Sequence, residues 1–209
     1  LILISPLQAG LSETLSRIAP VRQIEFNRQQ QPDSLLQGIQ ATRTLAGWLG
    51  RPAAGEALIA RTQVAIQTLA RQVKAGGRPR PVYLLRLADR RHGWVLGERS
   101  LFGSAAKAAG IPLAWQGETN LWGFASVPLT ALMAEPAAVV MPIAPWPFAD
   151  LHALDSNRLW QALPAIQAGR LVPLDPVWLG NGLPSLLAFC QQLQTRWSQQ
   201  AVELSQPQE

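Results

Sequence analysis

Little in this sequence can do chemistry unaided. The 209 residues include one cysteine, two histidines and one tyrosine, and only Lys74 and Lys107 of the 18 basic residues are lysines. A lone cysteine excludes an intrachain disulfide and any cysteine-based metal cluster. Its setting, Leu186-Leu187-Ala188-Phe189-Cys190, is that of a buried, inert thiol. His92 sits in the polar turn Asp89-Arg90-Arg91-His92-Gly93, and His152 in a loop rich in Pro and Trp. Neither belongs to a group of carboxylates or histidines, so no protein-held metal and no catalytic histidine is expected. Dinucleotide-binding, Walker, zincin and nucleophile-elbow motifs are all missing, which argues against an enzyme. Apolar runs such as Ala137 to Pro147 are broken by prolines and fall short of the ~20 residues of a membrane-crossing helix. The net charge of +5 comes mostly from arginines placed singly or in short groups, as at Arg78, Arg80, Arg86, Arg90 and Arg91. A nucleic-acid binder would cluster them with interleaved aromatics, so that class is not expected.

What the chain does have is core material, 48% apolar against 15% charged, and an α/β pattern. Leu1-Ile2-Leu3-Ile4 reads as a buried parallel strand, with the remainder of its lobe and any export signal expected upstream. Ser12 caps a short helix to Arg17, and Val21 to Phe26 is a second strand. Asp33 is a good cap for a helix to about Leu49, with Leu35, Leu36, Ile39, Leu45 and Trp48 on one face. From about Ala53 to Val73, Leu58, Thr62, Ala65, Ile66, Leu69 and Val73 recur at helical steps, and Ala75-Gly76-Gly77 stops the helix. At about 1.5 Å per residue this is a rod of roughly 30 Å. Strands follow at Val82–Leu87 and Trp94–Leu96, then a helix from Ser100 to Ala109 and a short strand after Pro112. Further on come a helix from Val127 to Glu135, a central strand at Ala137–Ile143, helical turns at Ser156–Leu163 and a last helix from about Leu183 to Trp197. The division is 1–50 as the remainder of an amino-terminal α/β lobe, 51–75 as a connecting helix and 76–209 as a carboxy-terminal α/β lobe.

Tryptophan is the unusual abundance, with eight residues. Trp48, Trp160 and Trp197 occupy helical patterns and read as packing residues. Trp115, Trp122 and Trp178 follow strands beside Gly or Pro, where open α/β sheets bind ligands. Rigid aromatic faces there can hold an apolar or cationic ligand without ordering many torsions, although core anchoring explains the same pattern.

The segment Gly110-Ile111-Pro112-Leu113-Ala114-Trp115-Gln116-Gly117-Glu118-Thr119-Asn120-Leu121-Trp122-Gly123 closely resembles the periplasmic ferric hydroxamate-binding proteins of enteric bacteria. So do Leu159 to Arg170, Pro176-Val177-Trp178 and Glu13 to Pro20, in the same order along the chain. The resemblance implies two Rossmann-like α/β lobes joined by a long rigid helix, as in class III solute-binding proteins, with the amino-terminal lobe truncated here. It further implies a monomeric periplasmic carrier that takes a ferric hydroxamate siderophore in an interlobe cleft and delivers it to an inner-membrane ABC permease. The siderophore's oxygens would hold the Fe(III), leaving no metal ligand or cofactor to the protein. The same fold serves other iron chelates, haem and corrinoids, which is the alternative ligand class. Residue by residue, Trp122 and Trp178 match the family's pocket, with Trp115 a third wall and Trp94 where the family has an apolar pocket residue. Gln8 stands at a hydroxamate-bonding tyrosine, Phe124 at a small hydroxylated residue, and Gly180 at an aromatic one. The family's pocket arginine belongs upstream of Leu1. At the acidic permease-docking position this chain has Thr130, with Glu135 nearby.

Overall fold

The computed structural model describes residues 1–25, 33–148, 150–180, 182–199 and 204–205. Phe26 and the polar tail beyond Ser205 lie outside them. The chain opens with β1 (Ile2–Ile4), which pairs in parallel with β2 (Val21–Gln23), Ile2 facing Val21. Between them run a 3₁₀ turn, Pro6–Leu11, and α1 (Ser12–Ser16). Ser12 is the first residue of α1 rather than its cap; Ser5 instead caps the 3₁₀ turn in a reciprocal box with Gln8. The expected buried strand is buried at Ile4 alone, while Leu1, Leu3, Leu7, Leu11 and Ile18 are exposed. A two-stranded sheet has too few neighbours to cover both of its faces.

Asp33 caps α2 (Ser34–Trp48) by accepting from the Leu35 and Leu36 amides at 3.0 and 3.1 Å. Its buried face is Ser34, Gln37, Gly38, Ile39, Ala41 and Ala46, and Leu36, expected inside, is exposed. Small residues win this face because α3 (Pro52–Ala75) comes very close: a Cβ on Gly55 would lie 2.5 Å from that of Ala46. With 24 residues, α3 is an unbroken rod of about 36 Å. It packs on α2 at one side and on α7 (Leu183–Gln199) at the other.

The second lobe is built on a four-stranded sheet ordered β5-β4-β3-β6. β3 (Val82–Leu87) and β6 (Val139–Pro142) run parallel; β4 (His92–Leu96) and β5 (Phe124–Pro128) are antiparallel additions. The helix expected over Val127–Glu135 is instead the end of β5 followed by a 3₁₀ segment, Leu129–Ala134. Pairing of Ala125 with Val95 and of Val127 with Gly93 overrides the local helical pattern, and Pro128 supports the break. The strand expected after Pro112 shrinks to one parallel bridge, Leu113 to Val82.

Strand alternation sends Val82, Leu84, Leu96 and Met141 to one face, beneath α3, α4 (Leu101–Ala108) and α7. Tyr83, Leu85, Leu87, Val95 and Val140 go to the other, covered by Leu129, Leu132, Trp160 and Leu163. Trp160 comes from α5 (Arg158–Gln161), and α6 (Pro164–Gln167) follows at once. Arg170 ties this layer together, donating through Nε to Ala138 O at 3.1 Å and through a terminal nitrogen to Pro136 O.

Cys190 is fully buried in α7, and burial pushes its thiol up to about 12. A thiol whose folded pKa is raised stabilises the fold fully below its ordinary range, and that contribution is lost as pH climbs towards 12. Stability should therefore fall more steeply over this alkaline window in the native chain than in Cys190→Val, as followed by denaturant midpoints. Iodoacetamide should label the thiol only in denaturant, whereas rapid native labelling at pH 8 would contradict the burial.

Candidate functional site

The cleft lies where strand carboxyl ends meet. β3 and β6 end side by side, and a third parallel extension, Leu171–Leu174, bridges to Val140 and Ile143. The segments that leave these ends enclose a cleft of about 440 Å³, lined by Arg86, Trp94, Pro145, Pro176, Val177, Trp178, Leu179 and Gly180. Its walls are mostly apolar, and none of these residues is acidic.

Local structure explains how each wall is held. β3 and β4 pair so that Arg86 is directly opposite Trp94, which puts both side chains on the same face at the sheet's end. Trp94 is 42% exposed and leans on Phe124, ring centroids 5.7 Å apart and planes tilted by 36°. Phe124 begins β5, two pairs further along the ladder from Trp94, opposite Leu96. Trp178, across the cleft, is 78% exposed. Its indole folds over Gly180, where a Cβ would meet Nε1 at 2.0 Å. Glycine at 180 thus makes room for the Trp178 ring.

The remaining candidates lie elsewhere. Trp122 is 41% exposed on the turn that delivers Phe124, but it does not line this cleft. That turn is closed by Asn120, whose side-chain oxygen accepts from Trp122 N and Phe124 N at 2.9 and 3.3 Å. Trp115 belongs to a second depression, with Gly97, Glu98, Arg99 and Gln116 to Thr119. Its indole N–H donates to Glu118 O at 3.3 Å and its ring lies against Gly117, so it braces its own turn. Gln8 sits in the first lobe, its Oε1 accepting from Ser5 N at 3.0 Å and Ser5 Oγ at 3.1 Å. Its side-chain carbonyl is committed to the cap, which leaves the NH₂ end as its donor. Thr130 is exposed, and the Glu135 carboxylate accepts from Ala137 N at 3.2 Å.

His92 and His152 are exposed, each beside its own aspartate at 3.1 Å, Asp89 and Asp155. Among the described residues no group of three His, Cys, Asp or Glu side chains could hold a metal ion.

Arg86 is the cleft residue that sequence reading passed over. It interrupts an apolar strand, Val82-Tyr83-Leu84-Leu85-Arg86-Leu87, and such a polar intruder at a strand's carboxyl end was the available signal. It is half-buried, one guanidinium N–H donates to Ala144 O at 3.2 Å, and burial lowers its pKa.

The second lobe is thus a sheet of mixed direction covered on both faces, with a long helix before it and a ligand-sized cleft at its strand ends. The chain belongs to the periplasmic binding protein family, which it matches over residues 1–177. It is 36% identical over 178 residues to the iron(3+)-hydroxamate-binding protein FhuD of Escherichia coli K12, covering 85% of this chain and 59% of that protein. The chain thus spans about three fifths of the length of this relative. Among solved structures it resembles the siderophore-binding protein FhuD of Vibrio cholerae bound to Fe3+-Desferal, with a TM-score of 0.81 and 27% identity over 93% of this chain and 73% of that one. The siderophore periplasmic binding protein from the fuscachelin gene cluster of Thermobifida fusca shares the fold, with a TM-score of 0.68 and 18% identity over 94% and 74% of the two chains.

Proposed function

We propose that this chain is the larger part of a monomeric periplasmic carrier that binds a ferric hydroxamate siderophore and delivers it to an inner-membrane ABC permease. The observation that carries this reading is the cleft at the strand ends. Two indole faces, Trp94 and Trp178, stand among prolines and aliphatic side chains around a volume suited to a chelate arm. Such walls bind the carbon skeleton by excluding water, while each indole N–H can meet an oxygen. Iron held by the siderophore's own oxygens asks no metal ligand of the protein. The relatives named above, described as binding ferric hydroxamate or Fe3+-Desferal, support the ligand class.

Equilibrium dialysis against ferric hydroxamates, ferric catecholates, haem and cobalamin tests the proposal. Hydroxamate chelates should bind best, and preference for haem or cobalamin would replace this reading with the porphyrin or corrinoid one. Trp178→Ala should weaken hydroxamate binding by about 2 kcal/mol or more, the scale of an aromatic anchor. Because Trp178 is largely solvated, the denaturation midpoint should stay unchanged. Unaltered affinity in Trp178→Ala would remove this wall from the site.

A further inference from the structure

The cleft contains a cation, Arg86, that no described residue neutralises. In β3 every residue but Arg86 is buried and apolar, apart from the Tyr83 hydroxyl. Alternation places Arg86 on the same face as Val82 and Leu84, where the helices of the second lobe form the cover. At the carboxyl end of the strand the side chain lines the cleft with Trp94 and Trp178 instead of entering that core. Its guanidinium donates to a single neutral carbonyl, Ala144 O, and its other N–H donors have no protein partner among the described residues. Among the described residues no carboxylate lies within ion-pair distance of it, whereas Arg17, Arg43 and Lys107 each have one. A partly desolvated guanidinium lacking a counter-charge costs free energy, which a ligand anion would recover on binding.

We infer that Arg86 is a specificity-determining residue of the cleft, and that the preferred ligand is an iron hydroxamate chelate bearing a free carboxylate. This rests on the proposed hydroxamate function and narrows it. In a complete ferric trihydroxamate three hydroxamate anions cancel the three positive charges of the iron, so the core is neutral and its oxygens share their charge with the metal. A pendant carboxylate keeps a full charge and two oxygens in one plane, the geometry a guanidinium fork accepts through paired N–H bonds. Trp94 beside Arg86 and Trp178 across the cleft then cover the aliphatic chain that carries it.

Three linear ferric trihydroxamates with one common core, ending in an ammonium, an acetamide or a succinyl carboxylate, test this by calorimetry on the 209-residue chain with chelate up to millimolar concentration. The carboxylate form should bind at least about tenfold tighter than the acetamide form, the return of one charge-assisted contact, and the ammonium form weakest. Arg86→Gln should bring the carboxylate and acetamide forms within about twofold by weakening the former, and Arg86→Lys should restore part of the difference. Equal binding of all three by the native chain overturns the inference and leaves the hydroxamate function standing, and needs no variant to fold. A preference that survives in Arg86→Gln likewise removes the role of Arg86. Absence of binding by all three overturns the hydroxamate reading of the cleft and the inference with it.

Discussion

Trp160→Ala is expected to destabilise the fold by about 3–5 kcal/mol, the range for emptying a buried aromatic site. Trp160 is 2% exposed and fills the layer beneath the sheet with Tyr83, Val140, Leu163 and Ala165. The four-residue helix that carries it is too short to persist alone, so it is held by this one side chain and by its Asn157 cap. Trp197→Ala should cost a similar amount on the opposite face, where Trp197 packs among α3 and α7 residues. Denaturant unfolding measures both losses. The affinity per folded molecule should hardly change, because neither residue lines the cleft. A loss below about 1 kcal/mol for Trp160→Ala would mean that the site collapses without leaving a void.

Gly123→Ala should be nearly as damaging through the backbone. Gly123 has φ of 79°, and an added Cβ would lie 2.1 Å from Ser100 N and 2.4 Å from Arg99 C. Those are main-chain atoms at the start of α4, where Ser100 Oγ accepts from Gly103 N at 2.9 Å, so they cannot swing aside as a side-chain tip would. Left-handed strain costs about 1–2 kcal/mol and overpacking about 1–3 more, giving a loss of about 2–5 kcal/mol. Gly110 supplies the control, with φ of 80° and nothing within 4 Å of its added Cβ. Gly110→Ala should lose the strain alone, about 1–2 kcal/mol. Equal losses for the two variants, read from thermal unfolding, would show that the turn yields freely. Under the proposed function Gly123→Ala should also weaken chelate binding, because the Asn120 turn positions Phe124 against Trp94.

Much of the architecture could be read along the chain. The rod of α3, the Asp33 cap, the apolar runs of β3 and β6 and the burial of Trp160, Trp197 and Cys190 all follow from local periodicity or apolar content. Local signals failed where distant partners compete. Leu129–Ala134 has a helical pattern but sits beside a strand paired to β4, and Leu36 has a core-like side chain on a face that α3 leaves to solvent. The tryptophans divide for the same reason. Trp115 and Trp122 share one motif with Gly117 and Gly123, yet one braces a turn, the other is exposed beside Phe124, and neither meets Trp178 in the cleft.

By itself the sequence determined the kinds of element and the excess of rigid aromatic surface. Those depend on composition and on residues within a few positions of each other, where period and side-chain chemistry act directly. The tertiary structure alone decided which aromatics share a cleft and that Arg86 lines it with them, without a carboxylate partner among the described residues. Arg86 and Trp178 are 92 positions apart and meet only because parallel strands align their carboxyl ends, a matter of sheet pairing that no local pattern encodes.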